Sequence, residues 1–233
     1  MQLKKIQAHI AGYKKYLQKG GERTVRPLYK WESQRIWQEN WDINASPFAA
    51  MYDSCLENSQ TRRIWNRENY QPKKMMLAFA ELQPHFVYSM FEELFNESKD
   101  IGNRVDRFIF YCDQLLKEYK STRRTALDND HYHDYEMISH YLAFQYPEQY
   151  TPYRFDLFKN TLLQIGSRDI PTANDISRHF KVMKTLHQFL QKDEALIALH
   201  QKRLLPIHYQ EKSLLLVEDF AFYLKNIFHQ VKK

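Results

Sequence analysis

Glycine and proline are scarce, 5 and 8 residues among 233, about half their average usage. A chain so poor in breakers of regular structure is built from long regular elements. Cysteine is scarcer still: Cys55 and Cys112 stand alone, which excludes a disulfide framework and a cysteine-rich zinc site. Both lie in apolar helical patterns, where a buried free thiol is ordinary, and a reducing compartment suits them. No apolar run approaches the roughly 18 residues of a membrane span; the longest are pieces such as Met75 to Ala80 and Leu214 to Val217. The N-terminus carries Lys4 and Lys5 and then turns amphipathic, without the apolar core or cleavage site of a secretory signal. A cytoplasmic chain without membrane contact is expected. Glycine-rich phosphate cradles are missing, whether Gly-x-x-x-x-Gly-Lys or Gly-x-Gly-x-x-Gly. The Gly-x-Ser-x-Gly element of serine hydrolases is missing too. No catalytic residue and no cofactor are assigned, and the chain is read as a non-enzyme.

What the chain has in abundance is apolar and aromatic material: 43% of residues are hydrophobic and 15% are Phe, Tyr or Trp, enough for a large core and too much for disorder. The spacing of that material is helical. Leu3, Ile6, Ile10, Tyr13 and Leu17 step by three and four, and Gly20 and Gly21 end the pattern. A second pattern runs from Leu28 to Trp41, with Trp37 and Trp41 on one face. Ser46 followed by Pro47 marks a helix start, with the serine suited to capping. A short apolar stretch follows Pro72, another helix begins at Pro84, and the clearest pattern runs from Ile101 to Tyr119. Residues 120–134 lose periodicity and read as a loop or linker. Beyond it, Tyr135 to Tyr146 is stopped by Pro147, and Tyr153 to Ile165 by Gly166. One long helix with an extension carries Ile176 to Leu190, and a last helix follows Pro206. The fold class is all-α, a globular bundle of about nine or ten helices. Residues 1–126 form an N-terminal helical region and 127–233 a C-terminal one, with the option that both pack as one domain.

Charge is segregated along the chain. Residues 1–40 hold nine basic and three acidic side chains, whereas 127–150 hold five acidic and no basic ones. In the second stretch Asp128, Asp130, His131, His133, Asp134 and Glu136 cluster. Imidazole and carboxylate ligate metals, but acidic residues also complement a helix N-terminus, and Asp128 or Asp130 can cap one. The second account is adopted and no metal site is assigned. Residues 60–74 place Arg62, Arg63, Arg67, Lys73 and Lys74 against a lone Glu68. These cations suit phosphates, and Trp65 and Tyr70 suit stacking on an exposed base. These seven residues are the candidate nucleic-acid contact; a solvated basic face with aromatics turned into the core would carry the same pattern. A second patch, Lys117, Lys120, Arg123 and Arg124, closes the long helix, where the dipole favours cations.

Several segments resemble a known family. Tyr29-Lys30-Trp31-Glu32 through Gln38-Glu39-Asn40-Trp41-Asp42-Ile43 resembles the opening of the N-terminal helical region of McrB-like proteins, the AAA+ GTPases of modification-dependent restriction systems. Asn69-Tyr70-Gln71-Pro72-Lys73-Lys74-Met75-Met76 and Met90-Phe91-Glu92-Glu93-Leu94-Phe95-Asn96-Glu97-Ser98-Lys99-Asp100 are similar to later pieces of that region. So are His131-Tyr132, Ile138-Ser139-His140-Tyr141-Leu142 and Gln145-Tyr146-Pro147-Glu148-Gln149-Tyr150. The likeness spans about Tyr29 to Ile165. His133 stands where the family shows Gln, which speaks against a metal role for the His pair. The AAA+ engine does not appear before Lys233, and the tail from Pro171 has no counterpart, so GTPase activity is not implied. The resemblance implies a non-catalytic module of a bacterial restriction or anti-phage defence system. Such a module would contribute DNA binding or target recognition, beside an AAA+ motor or nuclease subunit. The alternative is a protein-interaction or assembly module without nucleic-acid contact; a stand-alone metal-dependent nuclease built on the His131 region is the third option.

Overall fold

A computed structural model describes residues 1–20, 28–122 and 130–226. Twelve helices and no strand occur among them: α1 (Leu3–Gln18), α2 (Tyr29–Asn40), α3 (Phe48–Cys55), α4 (Thr61–Ile64), α5 (Pro72–Leu82), α6 (Pro84–Leu94), α7 (Ile101–Thr122), α8 (Tyr135–Gln145), α9 (Phe155–Gln164), α10 (Ile176–Gln191), α11 (Glu194–Arg203) and α12 (Leu215–Asn226). The all-α class holds, and the expected nine or ten helices become twelve. The four-residue α4 is too short to show a period. The stretch expected as an extension of the helix ending near Leu190 is a separate helix, because the Asp193 side chain accepts from the Leu196 amide and starts α11. The expected cap at Ser46 is not formed; Pro47 precedes α3 after a cis peptide bond and no side chain caps the helix.

The hub is α8. Every residue from Met137 to Phe144 is buried, Ser139 and His140 included, so neighbours cover every face of the helix. On one side lies α2: the Gln34 side-chain amide donates to the Ala143 carbonyl at 2.7 Å and the Trp37 indole to Gln145 Oε1 at 3.0 Å. Trp37 and Trp41 share a face as their spacing predicts, their rings stacked 4.4 Å apart. From α3, the Tyr52 hydroxyl lies 2.6 Å from that of Tyr141. From the loop before α9, the Tyr153 amide donates to Ser139 Oγ. The α5–α6 hairpin packs on α7, and α12 packs against α9 and α10.

One continuous apolar cluster runs from Ile6 to Leu224 and draws on both sides of the expected division. A smaller cluster, Leu28, Trp31, Leu204 and Leu215, sits beneath the 204–210 loop. The 126/127 boundary itself falls outside the described residues, as do Arg123, Arg124 and Asp128.

Candidate functional site

The basic segment is split by its folding. Ile64 and Trp65 point inward and are buried, while Arg62 and Arg63 beside them on α4 are exposed. Trp65 has no exposed surface, and its indole N–H donates to the Leu56 carbonyl at 3.1 Å. It therefore has no face for a base, which corrects the stacking role expected of it. Replacing Trp65 by Phe is expected to leave that buried carbonyl without its donor. Urea unfolding should show a loss of about 1–3 kcal/mol, with any DNA affinity unchanged.

Lys73 is likewise withdrawn. It is buried, and its ammonium pairs with Asp53 at 2.9 Å and Glu57 at 2.7 Å on and just after α3. Those two carboxylates neutralise it, so it braces α5 against α3 rather than meeting a phosphate. Arg67 and Tyr70 are joined by reciprocal backbone hydrogen bonds of 3.0 and 3.1 Å across a turn at Glu68 and Asn69. This turn lays the Arg67 guanidinium 4.2 Å over the Tyr70 ring, a cation–π contact. Tyr70 is half-buried, with its edge against Tyr132 and its hydroxyl 3.5 Å from Asp134. Burial and the Asp134 carboxylate push its hydroxyl pKa well above the usual tyrosine value. Exposed cations remain at Arg62, Arg63, Arg67 and Lys74; among the described residues none of the four makes an ion pair.

Tyr132 connects this segment to the acidic loop. That loop's capping role is real but belongs to a different residue: Asp134 accepts from the Met137 amide at the start of α8, whereas Asp130 accepts from the Tyr132 amide inside the loop. Tyr132 itself has φ 59°, the left-handed conformation that disfavours an ordinary side chain by roughly 1–2 kcal/mol. The resulting turn places the His131 and His133 rings 5.9 Å apart on one side. The His133 amide donates to His131 Nδ1 at 2.8 Å, and His133 Nδ1 lies 2.7 Å from the His131 carbonyl. His131 Nε2 lies 3.1 Å from the exposed Asp113 carboxylate, and His133 Nε2 lies 3.0 Å from the Tyr141 hydroxyl.

Cys112, on α7 beside Asp113, completes the group. Its sulfur and one nitrogen from each histidine all lie within 4.8 Å of one another, and all three residues are buried. Burial pushes the Cys112 thiol well up and His133 down to about 3, so both are neutral at pH 7. Sequence reasoning passed over this convergence. Cys112 is one apolar step on an amphipathic helix, and no spacing rule ties it to a loop on the far side of residues 120–130. Comparisons with protein-family profiles, with curated proteins and with solved structures give no match to this chain.

Proposed function

We propose that the chain is a non-catalytic helical module of a bacterial restriction or anti-phage defence system, as its resemblance to the McrB-like N-terminal region implies. It contacts DNA through Arg62, Arg63, Arg67 and Lys74, and an AAA+ motor or nuclease subunit supplies the chemistry. The observation that carries the reading is that these four cations stay exposed and, among the described residues, make no ion pair with a carboxylate, while Trp65 and Lys73 between them turn inward. Phosphate is the ligand such a segment suits. Tyr70, half-covered by Arg67, shapes the turn.

Four phosphate contacts imply a slope near −3.6 in the logarithm of affinity against that of salt. Raising salt from about 50 to about 200 mM should then weaken duplex DNA binding roughly 150-fold. The triple variant Arg62→Ala, Arg63→Ala, Arg67→Ala should bind more weakly and bring the slope near −0.9. Fluorescence anisotropy at several salt concentrations measures both; absence of binding to single- or double-stranded DNA at low salt would reject the reading.

A second reading, a protein-interaction module, is favoured by the 204–210 loop. Leu205 and Ile207 flank Pro206 there with about half of their surface exposed, at 51% and 50%. The loop is pinned to α2 by the Arg35 side chain donating to the Ile207 carbonyl and by the Tyr209 amide donating to the Trp31 carbonyl. An oligomer by light scattering, together with no DNA binding, would favour this reading.

A further inference from the structure

We infer that Cys112, His131 and His133 form a binding site for a single Zn2+-class cation, with Asp113 orienting His131 from behind. One thiol and two imidazoles are a donor set of borderline softness, the set that zinc and its spectroscopic substitute cobalt take. The three donor atoms lie within 4.8 Å of one another. Tetrahedral zinc with sulfur and nitrogen ligands needs them about 3.3–3.6 Å apart, so binding draws the group together by about 1 Å.

The hydrogen-bond partners fix the tautomers the ion needs. A carbonyl only accepts, so His133 Nδ1, 2.7 Å from the His131 carbonyl, carries the proton and Nε2 holds the lone pair. A backbone amide only donates, so His131 Nδ1, 2.8 Å from the His133 amide, holds its lone pair. His131 Nε2 then donates to Asp113 at 3.1 Å. Each ring therefore gives its N–H to a carbonyl or a carboxylate and turns its lone pair the other way, the outer-shell pattern of metal-ligating histidines. On binding, the ion replaces the His133 amide at His131 Nδ1 and the Tyr141 hydroxyl at His133 Nε2. Tyr141 keeps its partner, the Tyr52 hydroxyl at 2.6 Å. The Cys112 thiol gives up its proton to solvent as the metal–thiolate bond forms, and a water takes the fourth position.

The left-handed backbone at Tyr132 belongs to the same arrangement. Strain of this kind persists where the surroundings hold it, and it concentrates at ligand sites. Here it is what brings His131 and His133 to one side. Asp113 is exposed, and the His131 side chain it pairs with is 10% exposed. The site shares no ligand with the basic segment and does not depend on the DNA reading.

The test uses the full chain, reduced and stripped of metal, titrated with Co2+ and followed by absorbance. One equivalent should raise a thiolate-to-cobalt charge-transfer band in the near ultraviolet together with visible bands of a tetrahedral ion. Zn2+ should abolish both and raise the melting temperature. Cys112→Ser should lose the charge-transfer band, and Cys55→Ser should keep it. Asp113→Asn, at an exposed position, should weaken Co2+ binding about 10-fold or more without changing the metal-free melting temperature. A native chain that shows no thiolate band at ten equivalents of Co2+ overturns the site, even if Cys112→Ser fails to fold. So does a band that disappears with Cys55→Ser.

Discussion

Lowering the pH from 7 to 5 is expected to remove most of the protein's stability. Eight of its ten histidines are buried, and in five of them away from the loop before α8, His208 included, burial is the main cause of a depressed pKa. His140, His179 and His200 fall from 6.5 to about 3 and His187 to about 4. Secondary influences vary: Lys30 disfavours charge on His140, Lys212 on His187 and Arg203 on His200, while Glu218 favours it on His140 and His179. His179 is the starkest case. Tyr153, Phe158 and Phe180 enclose it, and burial outweighs the backbone of Thr151 and Pro152, which favours its charged form.

The sign follows from which state binds the proton. Between about pH 6.5 and these depressed values the unfolded chain is protonated and the fold is not, so stability present above pH 6.5 is lost as pH falls. Each of His140, His179, His187 and His200 contributes at most about 2 kcal/mol by pH 5, together about 8 kcal/mol, against a usual total of 5–15 kcal/mol. Glu136, whose pKa is raised chiefly by burial, acts in the opposite direction, but one carboxyl cannot offset four imidazoles. Glu93 and Asp193, held low first by Lys99 and Lys14, add to the loss only at still lower pH. Urea unfolding from pH 7.5 to 5 should show a midpoint that falls steeply below pH 6.5. His179→Leu should flatten that fall by about one proton. A midpoint independent of pH across this range would show that the buried imidazoles are solvated after all.

The sequence spelled out helices with one buried face. Ile101 to Tyr119 read as α7 because the apolar step never falters, and α1 and α10 read the same way. It hid what depends on side chains meeting across the fold. Ile197, two turns past Leu190, continues the apolar step of Leu186 and Leu190, so only the Asp193 cap reveals that α11 is separate. Residues 62–67 mix arginines with Ile64 and Trp65, and composition alone does not say which turn outward; the structure exposes Arg62 and Arg63 and buries Trp65. Lys73 is indistinguishable in sequence from its neighbour Lys74, and what separates them is the Asp53 and Glu57 carboxylates that the fold brings to Lys73. Cys112 and His133 meet only because the left-handed turn at Tyr132 and the packing of α7 on α8 bring them together.

The second large effect is expected where α1, α2, α11 and α12 meet. Asp219 on α12 accepts from the Tyr13 hydroxyl at 2.6 Å and from Arg203 Nη2 at 2.5 Å. Arg203 Nε also donates to His200 Nδ1 at 3.2 Å, and its guanidinium lies 5.7 Å over Trp31. The pair is 9% and 2% exposed. Burial opposes the Arg203 charge, yet Asp219 and Tyr13 outweigh it and hold the guanidinium pKa above its usual value. Removing one partner strands the other charge in the interior, so Asp219→Leu and Arg203→Met should each cost about 3–5 kcal/mol. The double variant Asp219→Leu, Arg203→Met removes both charges and fills part of the space. It should cost less than either single change, because two desolvated ions are replaced by apolar groups. A double-mutant cycle by urea unfolding measures this coupling; costs that simply add would mean the two charges are not paired in the folded state. The cluster also reaches back to acid unfolding. Arg203 is one of the charges that keep His200 neutral, so in Arg203→Met the His200 pKa should rise, and the part of the acid sensitivity due to His200 should shrink.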